Sequence, residues 1–290
     1  MTPDWAHLLG DDYPQFRTAL LTALGELGIS VDPDHLDHGV LHTEEHGTMG
    51  LSNVVRVCHA APRETWPAVI AEHLRRASAK SEALSLDHAR QHLRVRVTPE
   101  DTVHAQPESF VIRELADGLY ATLAIDLPEH VKFVAPKDLA AWGVAADELW
   151  PVALASTRGE PALERDDIEL EGGGRLTVLY GESYFAASQV LFLERYIEGE
   201  VLVAVPDRHA IACIVMDGHV LQGIGALVMF AHMRFTEQPG AVSEQLYWRR
   251  GERYVKVPCG VREDGTPWVA PPDDFNDAVL ALTRRSDAST

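Results

Sequence analysis

Apolar residues recur at helical spacing in two stretches of the N-terminal region. The first stretch begins at Pro14, whose missing N–H is not needed in the first turn of a helix, and ends before Gly28. The second begins after Pro62 and runs to about residue 79. The apolar faces of these two predicted helices consist of Phe16, Leu20, Leu21, Leu24 and Leu27, and of Trp66, Val69, Ile70 and Leu74.

The segment between these helices, residues 29 to 51, has the alternation and the glycines of extended chain. We expect a hairpin with its turn at residues 44 to 47. A short helix follows, capped by Ser52 or Asn53 and running through Cys58. Together these elements predict a subdomain of the helix–hairpin–helix type over residues 1–85.

A polar segment, residues 80 to 92, predicts the boundary of this subdomain. Beyond the boundary, Leu93, Val95 and Val97 alternate with Arg94 and Arg96, which predicts a strand with one basic face. Another alternating strand is expected over residues 119 to 127. Helices are expected over residues 138 to 142 and 147 to 157.

The C-terminal part has the clearest pattern. It predicts a hairpin around three glycines at 172 to 174, a helix over 183 to 197, and apolar strands over 201 to 205 and 211 to 216 joined across 207 to 209. A helix over 221 to 233, a hairpin over 246 to 257 and a terminal helix over 274 to 282 follow. Because strands and helices do not alternate, we predict an α+β fold of antiparallel sheets with packed helices, in two subdomains, residues 1–85 and 92–290.

Four short sequences occur in order in the second half of the chain. They are DLAAW at 138–142, DELW at 147–150, YGESYFAAS at 180–188 and GEVLVAVP at 199–206. In these sequences the chain resembles the YtpQ family of uncharacterised bacterial proteins, and the resemblance extends from Asp138 onward over about half of the chain. The resemblance implies an intracellular α+β protein and carries over no catalytic residue.

The charge of the chain bears on its partners. The formal net charge is −19, from 44 acidic and 25 basic residues, and such a field repels phosphate backbones and anionic lipids. The densest basic sites are only pairs, Arg75-Arg76 and Arg249-Arg250. We therefore predict neither a nucleic-acid nor a membrane partner.

The cysteine content and the lengths of the apolar stretches indicate where in the cell the protein is located. Cys58, Cys213 and Cys259 are far apart in sequence and form no C-x-x-C pair. Such sparse, odd usage fits a reducing compartment, and neither a signal peptide nor an apolar run of membrane-spanning length is evident. The expected location is the cytoplasm.

One motif has the form of a metal site. Residues 42 to 46, HTEEH, fit the H-x-x-E-H signature of inverted zinc peptidases, in which His42 and His46 would bind zinc and Glu45 would act as general base. The flanking glycines favour a hairpin turn instead. In a strand the two histidines would lie about 13 Å apart, too far to share one metal. We predict no metal and no cofactor, with His42 and His46 as the alternative ligands.

A second motif lies between a predicted strand and a predicted helix. The sequence GESYF at 181–185 has the context of a nucleophile elbow, but Phe185 stands where the elbow needs a small residue. Ser183 is more simply a helix N-cap, or a contact for an anion at the helix N-terminus. The candidate ligand-binding residues are Glu182, Ser183 and Tyr184.

These observations lead to one functional prediction and one alternative. We predict a non-catalytic intracellular binding or interaction protein whose partner, a protein or a small molecule, is unknown. The alternative is a metal-dependent or serine hydrolase that uses the N-terminal histidines or Ser183.

Overall fold

The computed structural model describes residues 4–29, 36, 40–43, 47–77, 84–128 and 130–287. The chain divides into two compact units. The first contains residues 1–84 with the segments 127–130 and 237–239, and the second contains the remainder. No helix in the described part of the chain combines the length and the apolar character that crossing a bilayer requires.

The first unit is built from helices and one hairpin. A 3-10 helix, Asp4–Asp12, leads into α1 (Tyr13–Glu26), and the strands β1 (Val40–Thr43) and β2 (Gly47–Gly50) pair antiparallel. The helices α2 (Ser52–Ala60) and α3 (Trp66–Ala77) follow, separated by a 3-10 turn at Arg63–Thr65. Within the described residues of this unit, a helix, a hairpin and two further helices thus follow one another along the chain.

The core of this unit lies between the predicted apolar faces. Phe16, Leu20 and Leu24 are buried together with Trp66 and other residues of α2 and α3. Leu27 is 37% exposed, contrary to the prediction, because α1 ends at Glu26. The predicted side-chain cap of α2 is also wrong, since its N-cap is Leu51, which makes no side-chain cap bond.

The second unit begins with a small antiparallel sheet. Its strands are β3 (Leu93–Pro99), β4 (Ile112–Ala116), β5 (Leu119–Asp126) and β6 (Val131–Phe133), with β5 paired to each of the others. Four helices precede, separate or follow these strands along the chain: α4 (Leu86–His92), α5 (Glu100–Ala105), α6 (Pro136–Trp142) and α7 (Ala146–Arg158). Part of the polar boundary segment is therefore helical, and Ser85 caps this helix by accepting from the His88 amide.

The free edge of β3 is satisfied by hydroxyl groups instead of another strand. Val95 N donates to Thr157 Oγ1 at 2.7 Å, and Val97 N donates to Ser188 Oγ at 3.0 Å. Thr157 lies on α7, so this helix is tied to the strand. The side chains of Leu93, Val95 and Val97 are buried while Arg94 and Arg96 lie on the other face, as the alternation predicts.

A six-stranded antiparallel sheet forms the rest of the unit. Its strands are β7 (Glu164–Glu169), β8 (Arg175–Tyr180), β9 (Val201–Asp207), β10 (Ala210–Val215), β11 (Leu246–Arg250) and β12 (Arg253–Val257), in the order β12-β11-β9-β10-β8-β7. The remaining elements are α8 (Val220–Glu237), a short hairpin of β13 (Cys259–Val261) and β14 (Pro267–Val269), and α9 (Asp273–Asp287). The predicted α+β class with antiparallel sheets is confirmed.

Both faces of the six-stranded sheet are covered. Leu202, Ala204 and Trp248 face a core completed by α8 and α9. Val203, Val205 and other residues of the opposite register face a second core completed by the 3-10 helix Ala186–Arg195. A strand that is buried on both faces has an unbroken apolar sequence, which explains why β9 and β10 are the most readily predicted strands.

Gly223 shows how closely α8 approaches the sheet. A Cβ at this position would lie 3.0 Å from Cγ2 of Ile214, so a side chain there would push the helix away. Close packing of α8 on the sheet therefore explains the glycine at this position.

Candidate functional site

Two turns of the second unit are fixed against each other. One is the GESYF turn at 181–185, and the other is the turn between β9 and β10. Gly181 N donates to the His209 carbonyl at 3.0 Å, and His209 Nδ1 lies 3.1 Å from the Gly181 carbonyl. Ala187 N donates to the Arg208 carbonyl at 3.0 Å. The side chains of both turns are therefore held in one place.

Arg208 carries the main positive charge in the region where these two turns meet. Its guanidinium lies 4.5 Å from the centre of the Tyr184 ring, and its Nε donates to His209 Nε2 at 2.8 Å. Its side chain passes over Gly240, where a Cβ would come within 2.5 Å of Arg208 Cδ. Gly240 also has a φ of +79°, so glycine is required there for two reasons. Burial lowers the pKa of Arg208, against the opposing effects of Tyr184 and Asp207.

The imidazole of His209, next to Arg208, is uncharged at neutral pH. Its Nε2 accepts from Arg208, so the ring proton is on Nδ1, which donates to the Gly181 carbonyl. Burial lowers the pKa of His209, and the charge of Arg208 lowers it further. The imidazole therefore positions the guanidinium of Arg208 without competing with it for an anion.

The carboxylate of the adjacent residue, Asp207, is fully buried and accepts its hydrogen bonds from groups other than Arg208. It accepts two hydrogen bonds from Arg234, from Nε at 2.7 Å and from Nη2 at 3.2 Å, and one from the His209 amide at 2.8 Å. Three donors thus hold this carboxylate, and none of them is the guanidinium of Arg208. The ion pair of Asp207 and Arg234 anchors the turn that carries Arg208.

A second cation comes from β3. The guanidinium of Arg96 lies 5.4 Å from the centre of the Phe133 ring, and within the described part of the chain it makes no hydrogen bond and no ion pair. Burial, and to a smaller extent the charge of Arg208, lowers the pKa of Arg96 to about 10, while Tyr184 opposes the shift. Arg96, Arg208 and Tyr184 are therefore within electrostatic range of one another. We call Arg96, Phe133, Tyr184, Arg208 and His209 the arginine cluster.

Arg94 provides the contrast to Arg96. The two arginines share one face of β3, but Arg94 donates from Nε to Glu160 at 2.7 Å and from Nη1 to the Leu93 carbonyl. Arg94 is thus a neutralised structural residue, whereas Arg96 retains an unpaired charge in a half-buried place. Such a charge is unfavourable unless an anion joins it.

The three predicted ligand-binding residues lie in different surroundings. Tyr184 belongs to the arginine cluster and is 39% exposed, so the cluster opens to solvent. Ser183 accepts from the Phe185 amide at 3.1 Å and donates to Glu160 at 3.1 Å. It is not the helix cap that we predicted, because the 3-10 helix begins at Ala186 with Phe185 as N-cap. Glu182 is exposed on the same turn.

The H-x-x-E-H motif lies largely outside the described residues. His42 is part of β1, opposite Thr48 of β2, and Glu45 and His46 lie outside the described residues. Within the described residues, no three side chains of histidine, cysteine, aspartate or glutamate are grouped as metal ligands would be. The alternative zinc ligands, His42 and His46, therefore stay a prediction.

Sequence reasoning missed Arg96 and Arg208 as site residues. The one signal for Arg96 was its place on the basic face of a strand whose opposite face is apolar. Arg208 had the features of an ordinary turn residue. No protein-family model, no curated protein and no solved structure matches this chain. The assignment of the site consequently rests on its geometry.

Proposed function

We propose that this chain is a non-catalytic binding protein that holds a small anion at the arginine cluster. The observation that carries the proposal is that the guanidiniums of Arg96 and Arg208, each stacked on an aromatic ring and within electrostatic range of the other, have no carboxylate partner among the described residues. An anion between them would offset both charges at once.

The chemistry of the cluster favours a phosphate group. Guanidinium groups present planar pairs of N–H donors that match the oxygens of phosphate and carboxylate. Two guanidiniums balance the charge of a phosphate, which is close to −2 at neutral pH, better than that of a carboxylate. Free phosphate and a phosphate ester share this chemistry, and an ester would extend past the exposed Tyr184 ring towards solvent.

The hydrolase alternative lacks a comparable observation. The hydroxyl of Ser183 contacts Glu160 and the Phe185 amide, and the nearby imidazole of His209 is engaged with Arg208 and Gly181. A serine nucleophile needs a base at its hydroxyl and that base needs its ring nitrogen free. Membership of the YtpQ family stays a prediction.

Calorimetric titration with inorganic phosphate tests the proposal. We expect one site per chain, and a Kd that becomes at least about tenfold weaker in Arg208→Gln, since one charge-assisted contact is lost. Arg175→Gln is the matched control, because this exposed arginine is paired with Glu169 and lies outside the cluster. Equal phosphate affinity in Arg208→Gln and the parent would contradict the proposal, as would binding of fructose as tight as that of fructose 6-phosphate.

A further inference from the structure

A cavity of about 580 Å³ lies elsewhere in the second unit and plays no part in the arginine cluster. Its size is in the range of pockets that hold small organic molecules. Its walls are formed by β4, β5, α7, the 3-10 helix Ala186–Arg195 and the hairpin of β11 and β12. Trp150, Leu154 and Arg158 follow each other at four-residue spacing and line it along one face of α7.

The floor of this cavity, which we call the Trp150 pocket, is apolar. Trp150 and Phe192 are almost fully buried, at 3% and 7% exposed, and Leu115, Leu154 and Leu191 are half-buried around them. Half-buried leucines that line an open cavity leave apolar surface in contact with water. Removing that surface from water favours a ligand with an apolar body.

The rim of the Trp150 pocket is cationic. Three arginines line it, and two of them are stacked on its aromatic rings: Arg113 lies 4.5 Å from the ring centre of Trp150, and Arg158 lies 5.5 Å from that of Phe192. Aromatic stacking fixes both guanidinium planes, and Arg113 also donates to Asp147 at 2.9 Å. Arg158 is therefore the stacked arginine that is placed to receive an acidic group of a ligand.

Arg158 has a weaker carboxylate partner than the other two arginines of the rim. Glu194 lies 3.0 Å from Arg249 and 3.6 Å from Arg158, and Glu252 is the other acidic residue of the lining. A separation of 3.6 Å is too long for a hydrogen bond. The guanidinium of Arg158 therefore makes no hydrogen bond to a carboxylate among the described residues, and its N–H groups are available to the carboxylate of a ligand.

We propose that the Trp150 pocket binds a small carboxylic acid with an apolar body. The body lies against Leu115, Leu154 and Leu191, and the carboxylate lies at the rim, where Arg158 holds its guanidinium over Phe192. This site is separate from the proposed phosphate site, because the two share no residue.

Decanoate, kept below its micelle concentration, is a suitable probe in a calorimetric titration. Decanol has the same chain without the charge, and decylammonium reverses the charge. We expect decanoate to bind once per chain and at least about tenfold more tightly than either analogue. Equal binding of decanoate and decanol would overturn the proposal, and so would the absence of any decanoate binding at 1 mM, roughly the upper limit for a specific small-molecule site.

Two variants locate the binding. Arg158→Gln removes one rim charge and is expected to weaken decanoate binding by about tenfold, whereas Arg175→Gln is expected to leave it unchanged. The two arginines are matched, with side chains 58% and 56% exposed and each paired with a glutamate. Leu154→Trp fills the pocket and is expected to abolish binding, provided that its circular dichroism matches that of the parent.

The outcomes separate this pocket from the phosphate site. If decanoate binding survives in Leu154→Trp or Arg158→Gln but is lost in Arg208→Gln, the acid binds at the arginine cluster and the proposal for the Trp150 pocket is wrong. If the phosphate site fails its own test while decanoate still responds to Arg158→Gln, the Trp150 pocket stands by itself.

Discussion

Replacing Arg96 by methionine is expected to stabilise the protein while removing an anion contact. The guanidinium of Arg96 is half-buried and unpaired within the described residues, so its charge opposes folding. Methionine keeps an unbranched side chain of similar reach, and its sulfur can pack against the Phe133 ring that Arg96 now covers. A stabilising substitution at the site of binding would show that the arginine is retained for the ligand.

The pKa of Arg96 gives the magnitude. A pKa lowered to about 10 from the ordinary value of an arginine corresponds to about 3 kcal/mol against the charged form. Because the pKa is lowered in the folded protein, this penalty is complete below about pH 10 and disappears only as the pH rises to the ordinary pKa of arginine, so it is fully present at neutral pH. The lost contact with Phe133 offsets about 1 kcal/mol. A net gain of about 1–2 kcal/mol is expected.

The neighbouring arginine on the same face of β3 is the matched control. Arg94→Met removes a cation that is bonded to Glu160 and leaves that carboxylate, whose side chain is 14% exposed, without its partner. We expect a loss of about 1–3 kcal/mol. Two identical substitutions two residues apart should therefore change stability in opposite directions.

Urea unfolding, followed by circular dichroism with and without phosphate, measures both effects. Without phosphate, Arg96→Met should be more stable than the parent. At a phosphate concentration 100 times the parent Kd, the parent gains about 2.7 kcal/mol and the variant gains far less, so the order of stability reverses. If Arg96→Met is destabilised by more than about 1 kcal/mol without phosphate, the argument that this charge is unfavourable is wrong.

Three further predictions concern groups outside this comparison. Arg234→Met leaves a fully buried carboxylate without its bidentate partner, and urea unfolding should show a loss of about 3–5 kcal/mol; a loss below about 1 kcal/mol would contradict the buried ion pair. Ser183→Ala removes two hydrogen bonds and should lower the free energy of unfolding by about 1 kcal/mol, so a melting curve like that of the parent would show that neither bond matters. Burial raises the pKa of the thiols to about 12 at Cys58 and Cys213 and about 11 at Cys259, and a disulfide reagent at pH 8 should therefore react only after unfolding; rapid reaction of the folded protein would refute this.

Much of the fold is predictable from the sequence because the main elements are buried on defined faces. The apolar runs of β9 and β10 reflect a central position in a sheet that is covered on both sides. The N-terminal helices are predictable from their apolar faces, of which Phe16, Leu20 and Leu24 are buried. Periodicity reports burial, and these elements have much of it.

Sequence reasoning was least precise for the elements without such a pattern, among them β7, the first strand of the hairpin predicted around residues 172 to 174. The residues of β7, ERDDIE, are all exposed, because this strand is the edge of the sheet and its charges protect the edge from pairing with other chains. The predicted helix over 183 to 197 is a 3-10 helix that begins three residues later. Its kink at Phe192 depends on tertiary packing that no local preference encodes.

The candidate site was predictable only in part, for a specific physical reason. Tyr184 was identified from the strand–turn–helix context, and the basic face of β3 was visible in the alternation. The difference between Arg94 and Arg96 was not, since it depends on whether a carboxylate distant in sequence reaches the guanidinium. Glu160, which is 66 residues from Arg94, reaches one arginine and not the other.

The overall charge makes the unpaired arginines more informative than they would be in a basic protein. With 44 acidic residues against 25 basic ones, the chain has carboxylates enough for every cation. It uses them at Arg94 and Arg234, which lie in the same unit as the cluster and are paired with Glu160 and Asp207. Arg96 and Arg208 have no such partner in the described part of the chain, although a nearby glutamate would remove their unfavourable charge. A net negative charge acts along the whole length of a polyanion, whereas a small phosphate would contact only the cluster, so we expect the same charge distribution to disfavour nucleic acid and still to permit the ligand that we propose.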